Sequence, residues 1–285
     1  MKRIVIALGG NAMDTTASGG NLEGLFLEEA FRILNKKIRE NETVLTYGNG
    51  PQVGNIYDAG NGKYNIGMAG AMSQGMLSSI ICNAYDKIKY ETGSSKDIAP
   101  IFTRTVVNEN SYSLKPVGRY YQTRVNGSMM ELPGRGYRMA VRSPEPVDIL
   151  EKSAILSLLS DGYIPLAAGG GGMPVIKKLQ YYSTYQGVVD KDLASSLLGT
   201  LISADNLIII TNVDYIYLNF GKKNQEKLEK ISYGQMLEYY NTLNFEEGTI
   251  KPKIRAALDF IRKGGKSATI ASLKSFATGG TIIEN

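Results

Sequence analysis

Gly187-Val188-Val189-Asp190-Lys191-Asp192 leads into a helical pattern from Leu193 to Ser203; after Ala204-Asp205-Asn206 the chain runs Leu207-Ile208-Ile209-Ile210-Thr211 into Asn212-Val213-Asp214. Leu193, Leu197, Leu198, Leu201 and Ile202 recur at helical spacing and form the core-facing stripe of an amphipathic helix. The apolar run behind them shows no polar alternation, which is how a strand buried on both faces reads. Asp192 stands at the expected N-cap, where a carboxylate accepts the first free backbone N–H groups. Capping does not explain Lys191, a cation set between two aspartates at the mouth of a helix.

The same alternation of helix and strand extends through the chain. Ile4 to Leu8 reads as a buried strand, Glu23 to Glu40 as a helix with Leu27, Ala30, Phe31, Leu34 and Ile38 inward, and Thr43 to Tyr47 as a second strand. Ala69 to Lys89 is helical, with Ala71, Met72, Met76, Ile80, Ile81 and Ala84 as its apolar positions, and its entry Gly67 to Ala71 is small enough for a close contact, including one between subunits. Ala99 to Val107 reads as a strand, Val147 to Gly162 as a helix, Ile164 to Ala168 as a strand, and Ile254 to Lys263 as a helix; Ser267 to Ala271 and Gly280 to Ile283 read as closing strands. Strands alternating with helices indicate an α/β fold on a mostly parallel sheet covered on both faces. Ser111 to Val141 breaks the pattern: rich in Tyr, Arg, Gly and Asn, it reads as an ordered β-rich flap.

Composition narrows the chemistry. A chain of 285 residues with 43% hydrophobic and 21% charged residues has enough material for a large globular core. No apolar run approaches the roughly 18 residues of a membrane span. The single cysteine, Cys82, excludes an internal disulfide and a cysteine-based zinc site, and a reducing cytoplasm is the expected compartment. Histidine is absent, which removes a Ser-His-Asp triad, a histidine base and a histidine-ligated metal. A net charge of +5 without a basic tail favours small anions over nucleic acid.

Gly9-Gly10-Asn11, Gly48-Asn49-Gly50 and Gly169 to Gly172 each follow an expected strand. In open α/β sheets ligands bind beyond the carboxyl ends of the strands, and glycine-rich turns there aim backbone N–H groups at anions. The Walker spacing GxxxxGK is missing, and the second loop has the wrong third spacing for a dinucleotide fingerprint. Phosphoryl transfer suits this inventory, because it needs positive charge and N–H donors aimed at the phosphate oxygens and little covalent chemistry from the protein. Lys115, Lys191 and Lys253 are the candidate cations, with Asp192 and Asp190 as carboxylates.

These blocks together resemble carbamate kinases, within the wider amino-acid-kinase superfamily. The agreeing pieces are Gly9 to Ala12, Gly48 to Gly54, Gly70 to Gly75, Lys115 to Gly118, Gly134 to Arg138, Ser143-Pro144, Gly169 to Val175, Val189 to Ser195, Thr211 to Tyr215 and Pro252 to Ala257, in family order over nearly the whole chain. The resemblance implies a three-layer αβα sandwich with a small protruding subdomain at about 111–142. Residues 1–175 would form the acceptor half and 176–285 the nucleotide half. It further implies reversible transfer of phosphate between ATP and carbamate, giving carbamoyl phosphate and ADP with Mg²⁺ carried mainly by the nucleotide phosphates, in a cytoplasmic homodimer.

By the same resemblance, Gly9, Gly10, Asn11, Gly50, Gln52, Gly170 and Gly171 would meet the acceptor and the transferred phosphate. Lys115 would reach in from the subdomain, and Lys191 and Lys253 would neutralise phosphate charge, with Asp192 orienting them. Thr211, Asp214 and Tyr215 would lie beside the nucleotide. The chain departs from the family pattern at Tyr47, where histidine is frequent, at Met139 and Arg142, and through Asn108 to Ser113. These departures gather around the subdomain and leave two other readings: a kinase for another carboxylate or phosphate acceptor, and a non-catalytic nucleotide-binding regulator.

Overall fold

A computed structural model describes residues 1–9, 22–124, 128–132, 134, 136–246 and 249–285, with the backbone alone for 22–25 and 119. In chain order the elements are β1 (Arg3–Leu8), α1 (Leu22–Glu40), β2 (Glu42–Tyr47), α2 (Gly50–Ala59), α3 (Ile66–Thr92), β3 (Ile98–Pro100), β4 (Arg104–Tyr121), β5 (Met129–Leu132), β6 (Gly136–Ile149) and α4 (Lys152–Ser160). There follow β7 (Ile164–Leu166), β8 (Met173–Lys177), β9 (Tyr182–Thr184), α5 (Lys191–Leu201), β10 (Asn206–Thr211), β11 (Ile216–Leu218), β12 (Glu226–Leu228), β13 (Lys230–Ser232), α6 (Tyr233–Thr242), α7 (Lys251–Arg262), β14 (Ser267–Ser272), α8 (Leu273–Phe276) and β15 (Thr281–Glu284).

Eight strands form the central sheet in the order β13-β15-β14-β10-β1-β2-β7-β3, parallel except where β14 meets β15. Side chains of a strand alternate between faces, and here each face meets a different helical layer. Val5, Ala7, Leu207 and Ile209 join a cluster with Leu197 and Leu198 of α5 and Ile254 and Phe260 of α7. Ile4, Ile6, Leu8, Ile208 and Ile210 pack instead with Phe31 and Leu34 of α1 and Leu77 and Ile81 of α3. Both faces are therefore dry, which explains why β1 and β10 read as unbroken apolar runs. The close approach of α5 to α7 depends on Gly199, where a Cβ would stand 2.8 Å from the Phe260 ring.

The expected three-layer αβα sandwich is the observed one, and all five inward positions expected for α1 are fully buried. The β-rich flap also forms, within a second sheet of order β5-β6-β4-β8-β9. Its long hairpin, β4 and β6, begins at Arg104 and closes at Ile149, wider than 111–142, and β8 and β9 carry the same sheet across residues 175 and 176.

Four local expectations are corrected. Ala99 to Val107 is not one strand: β3 stays in the central sheet, β4 leaves it, and the break falls at Ile101 to Thr103. There the backbone is satisfied by a side chain, with Gln74 accepting from the Thr103 N–H at 2.8 Å and donating to its carbonyl at 3.1 Å. The helix expected from Val147 starts only at Lys152, because Val147 to Ile149 complete β6. On α3 the inward face is Ala69, Ser73, Leu77, Ile81, Ala84 and Tyr85, whereas Met72 and Met76 are exposed. The segment after Gly48 is the first turn of α2 rather than an open loop, with Pro51 at the start of the helix, where its missing N–H is harmless.

Candidate active site

β10, β1, β2 and β7 are neighbours and parallel, so their carboxyl ends share one rim. Gly9 leaves β1 there, pressed against β10: a Cβ would stand 2.8 Å from the Ile210 carbonyl. Gly10 and Asn11 lie outside the described residues. From β2 the chain turns directly into α2, whose first residues, Gly50 and the buried Gln52, place a helix N-terminus on the rim. A helix start carries partial positive charge and unpaired N–H groups, so it favours an anion.

The third glycine cluster has a packing explanation at every position. A Cβ on Gly169 would meet the Tyr47 ring at 2.3 Å, on Gly170 the Asn49 amide at 1.9 Å, on Gly171 the Val189 carbonyl at 2.6 Å, and on Gly172 the Thr105 hydroxyl at 2.3 Å. These glycines let the turn after β7 nest between the second loop and the segment leading to α5. Tyr47 is itself structural: fully buried, its hydroxyl is 3.0 Å from both the Gln74 carbonyl and Ser78 Oγ, and burial pushes its pKa up to about 12. Gly170→Ala would place a side chain at φ +61° and displace Asn49 from its 2.7 Å bond to Ser73. Strain and the lost bond together predict a destabilisation of about 2–3 kcal/mol, read as a lower midpoint in urea unfolding.

α5 stands over this rim. Its first turn is fastened to β2 by Thr46 and Ser195, whose hydroxyl oxygens are 2.6 Å apart. Asp190, not Asp192, is the N-cap: its Oδ1 accepts from the backbone N–H of Asp192 at 2.8 Å and of Leu193 at 3.2 Å. The cap lies two residues earlier than expected because the helix already begins at Lys191, and this turns the Asp192 carboxylate to other partners. Asp192, 4% exposed, sits between two ammonium groups, with Lys191 Nζ at 2.5 Å from Oδ1 and Lys253 Nζ at 3.3 Å from Oδ2. Lys253 arrives from the first turn of α7 and also donates to the Thr249 carbonyl at 3.0 Å.

Burial works against ionising Asp192, but the charges and hydrogen bonds of Lys191 and Lys253 outweigh it and hold its carboxyl below the usual carboxylate range. Lys115, on β4, comes to the same helix start and pairs with Asp190. Lys115, Lys191, Lys253 and Asp192 are thus brought together, although they come from three distant stretches of chain. Asp190 joins this set as the cap of α5 and the partner of Lys115, and its signal in the sequence is the first aspartate of the Asp-Lys-Asp run.

Thr211 closes β10 on the same rim. Asp214, slightly further on, accepts from Ser272 Oγ at 2.5 Å, and its carbonyl accepts from Ser275 at 2.8 Å. Those bonds anchor it to the capping box of α8, a partner invisible in the local sequence. Tyr215 lies under Lys227, whose Nζ is 5.1 Å from the ring centroid. The three expected nucleotide residues therefore stand at the β10 end, one strand removed from the Gly9 turn and two from α2.

A rim that collects a helix N-terminus, glycine turns and lysines from separate segments is the architecture of a small-molecule phosphotransferase. The amino acid kinase family model matches residues 2–272. The carbamate kinase of Thermoplasma volcanium is 42% identical, with 96% of this chain and 95% of that protein covered. That of Oenococcus oeni is 36% identical over 96% and 94%. The carbamate kinase of Giardia lamblia bound to AMP-PNP superposes with a TM-score of 0.88 at 32% identity, covering 99% of this chain and 98% of that one. The chain belongs to the amino acid kinase family and, within it, to the carbamate kinases.

Proposed function

We propose that this protein transfers a phosphoryl group reversibly between ATP and carbamate, forming carbamoyl phosphate and ADP. The observation that carries the reading is the buried Lys191–Asp192–Lys253 cluster facing the carboxyl rim of the sheet. In the forward direction a carbamate oxygen attacks the γ-phosphorus, the new P–O bond forms, and the bond to the β-phosphate oxygen breaks as ADP leaves. Lys191 and Lys253 meet the phosphate oxygens, and Asp192 holds the two ammonium groups apart in fixed positions. Gly9, Gly10, Asn11, Gly50 and Gln52 supply donors on the acceptor side, beside the third turn with Gly170 and Gly171, whose own N–H is given to the Ala168 carbonyl, while Lys115 reaches in from the second sheet. Thr211, Asp214 and Tyr215 border the nucleotide. On this reading residues 1–175 form the acceptor half and 176–285 the nucleotide half, with the second sheet at their joint.

Among the described residues no three acidic or thiol side chains converge on a possible metal position. Both carboxylates nearest the rim are already paired with lysines. That donor set fits a magnesium ion held by the nucleotide phosphates and water rather than by a protein cage. When bound, the ion adds positive charge to the phosphate chain. We assign the reaction to the cytoplasm because ATP is available there and a lone cysteine stays reduced.

A homodimer is supported by one surface. Met68, Met72 and Met76 on α3 are 45%, 43% and 42% exposed, and Phe102 beside them is 49% exposed. Contiguous apolar exposure of this kind marks an interaction face. The tight fit expected at Gly67 is used within the chain, against Tyr185, while Gly70 and Gly75 open outward. Met72→Glu with Met76→Glu is expected to halve the mass measured by light scattering; an unchanged mass removes this face as a dimer interface.

The decisive test of function is ATP formation from ADP and carbamoyl phosphate with Mg²⁺. Turnover is expected, and a folded sample that makes no ATP overturns the reading. An acceptor panel run in the ATP-consuming direction would then identify the substrate.

A further inference from the structure

The Asp190 carboxylate serves two partners that lie far apart in sequence. One oxygen caps α5 through the N–H groups of Asp192 and Leu193, and the other accepts from the Lys115 ammonium. Lys115 lies in the projecting hairpin, opposite Val141 on β6. The cap alone does not require a carboxylate, since asparagine and serine cap helices about as well as aspartate. The ion pair is sheltered, with the Asp190 side chain 12% exposed and that of Lys115 29% exposed. The helix start that Asp190 defines also delivers Lys191 and Asp192 to the rim. Two further contacts, an ion pair and a backbone hydrogen bond, hold the hairpin stem against this half of the molecule. Arg255 of α7 makes a bidentate pair with Glu145 of β6 at 2.8 and 2.7 Å, and the Val188 N–H donates to the Arg142 carbonyl at 2.9 Å. The hairpin is thereby fastened near both helices that carry site lysines.

We propose that Asp190 is a positioning residue of the phosphoryl-transfer site: one oxygen sets the start of α5, the other parks the Lys115 ammonium, and the hairpin lysine is thereby held at a fixed place relative to Lys191. This rests on the function proposed above. Lys115 then meets the acceptor already oriented, and its ammonium passes from the Asp190 carboxylate to the incoming phosphate oxygens. Orientation before binding is worth rate because it removes a search from the reactive step.

The test is Asp190→Asn, which keeps the cap and removes the charge. Its melting temperature should stay close to that of the unsubstituted protein, while kcat/KM for carbamoyl phosphate falls about tenfold and KM for ADP holds within about twofold. In a Lys115→Met background the same substitution should have less than about a twofold effect, because the group it positions is gone. Unchanged kinetics in Asp190→Asn would reduce Asp190 to a cap, and independent, multiplying effects of the two substitutions would sever it from Lys115. A readout without activity separates this proposal from the function beneath it. Acylation of Lys115 by a succinimidyl ester, followed by mass spectrometry, should speed up several-fold in Asp190→Asn while the exposed Lys222 is unaffected. An unchanged Lys115 rate overturns the proposal, whereas a protein that makes no ATP yet shows this acceleration overturns only the assigned reaction.

Discussion

Lys191→Ala is expected to lower kcat for ATP formation by about 10²–10³, some 3–4 kcal/mol of transition-state stabilisation, which is the usual cost of removing one donor aimed at developing charge. The side chain is 13% exposed and makes its ion pair with Asp192, so its ammonium sits in a site where water screens it weakly. The fold should survive, because Lys253 still pairs with Asp192 and the cap at Asp190 is untouched. The expected result is therefore a large fall in kcat beside a circular dichroism spectrum and melting temperature close to those of the unsubstituted protein. A kcat within a few-fold of the starting value would remove Lys191 from the mechanism.

Asp192→Ala should behave differently, losing both activity and stability. Its carboxylate is the one group between two ammonium groups, and deleting it leaves like charges facing each other across a largely buried gap. Breaking a buried pair in this way costs about 3–5 kcal/mol, and the lower end applies here because both lysines keep some contact with solvent. Phosphate oxygens would supply the missing negative charge, so ATP should raise the melting temperature of Asp192→Ala more than that of the parent. An equal rise in both proteins would mean that the nucleotide does not contact this lysine pair.

The pH dependence follows from the same geometry. The folded-state pKa of Asp192 is lowered, so the group binds fewer protons when folded, and stability falls as pH drops. Its contribution is fully present above the unfolded value of about 3.9 and is lost as pH falls from there toward the lowered pKa. Between pH 5 and 9, roughly, Asp192 stays ionised, and the chain has no histidine. Asp192→Ala should accordingly narrow its stability deficit only in strong acid, as urea midpoints measured across pH would show.

Much of this was legible locally. Unbroken apolar runs at Ile4 to Leu8 and Leu207 to Ile210 read as strands covered on both sides, and the helical spacing in α1 named its buried residues correctly. The absence of histidine left Lys, Arg, Asp, Glu, backbone dipoles and an oxygen-held cation for the chemistry, and the glycine turns after expected strands pointed to an anion. Patterning failed where a long-range partner decided the outcome. The break at Thr103 depends on Gln74, the exposure of Met72 and Met76 on which side of α3 meets the sheet, and the late start of α4 on how far β6 pairs with β4.

The sequence by itself determined the alternation of strand and helix, the dry faces of the sheet and the residue types available for chemistry, because those follow from periodicity and composition. Only the tertiary structure decided which aspartate caps α5 and which stands between two lysines. A helix boundary that moves by two residues turns a carboxylate through about 200° around the helix, since each residue advances 100°. Local patterns do not resolve that rotation. It is set by the bond of Ser195 to Thr46 beneath the helix and by the arrival of Lys115 and Lys253 from remote parts of the chain.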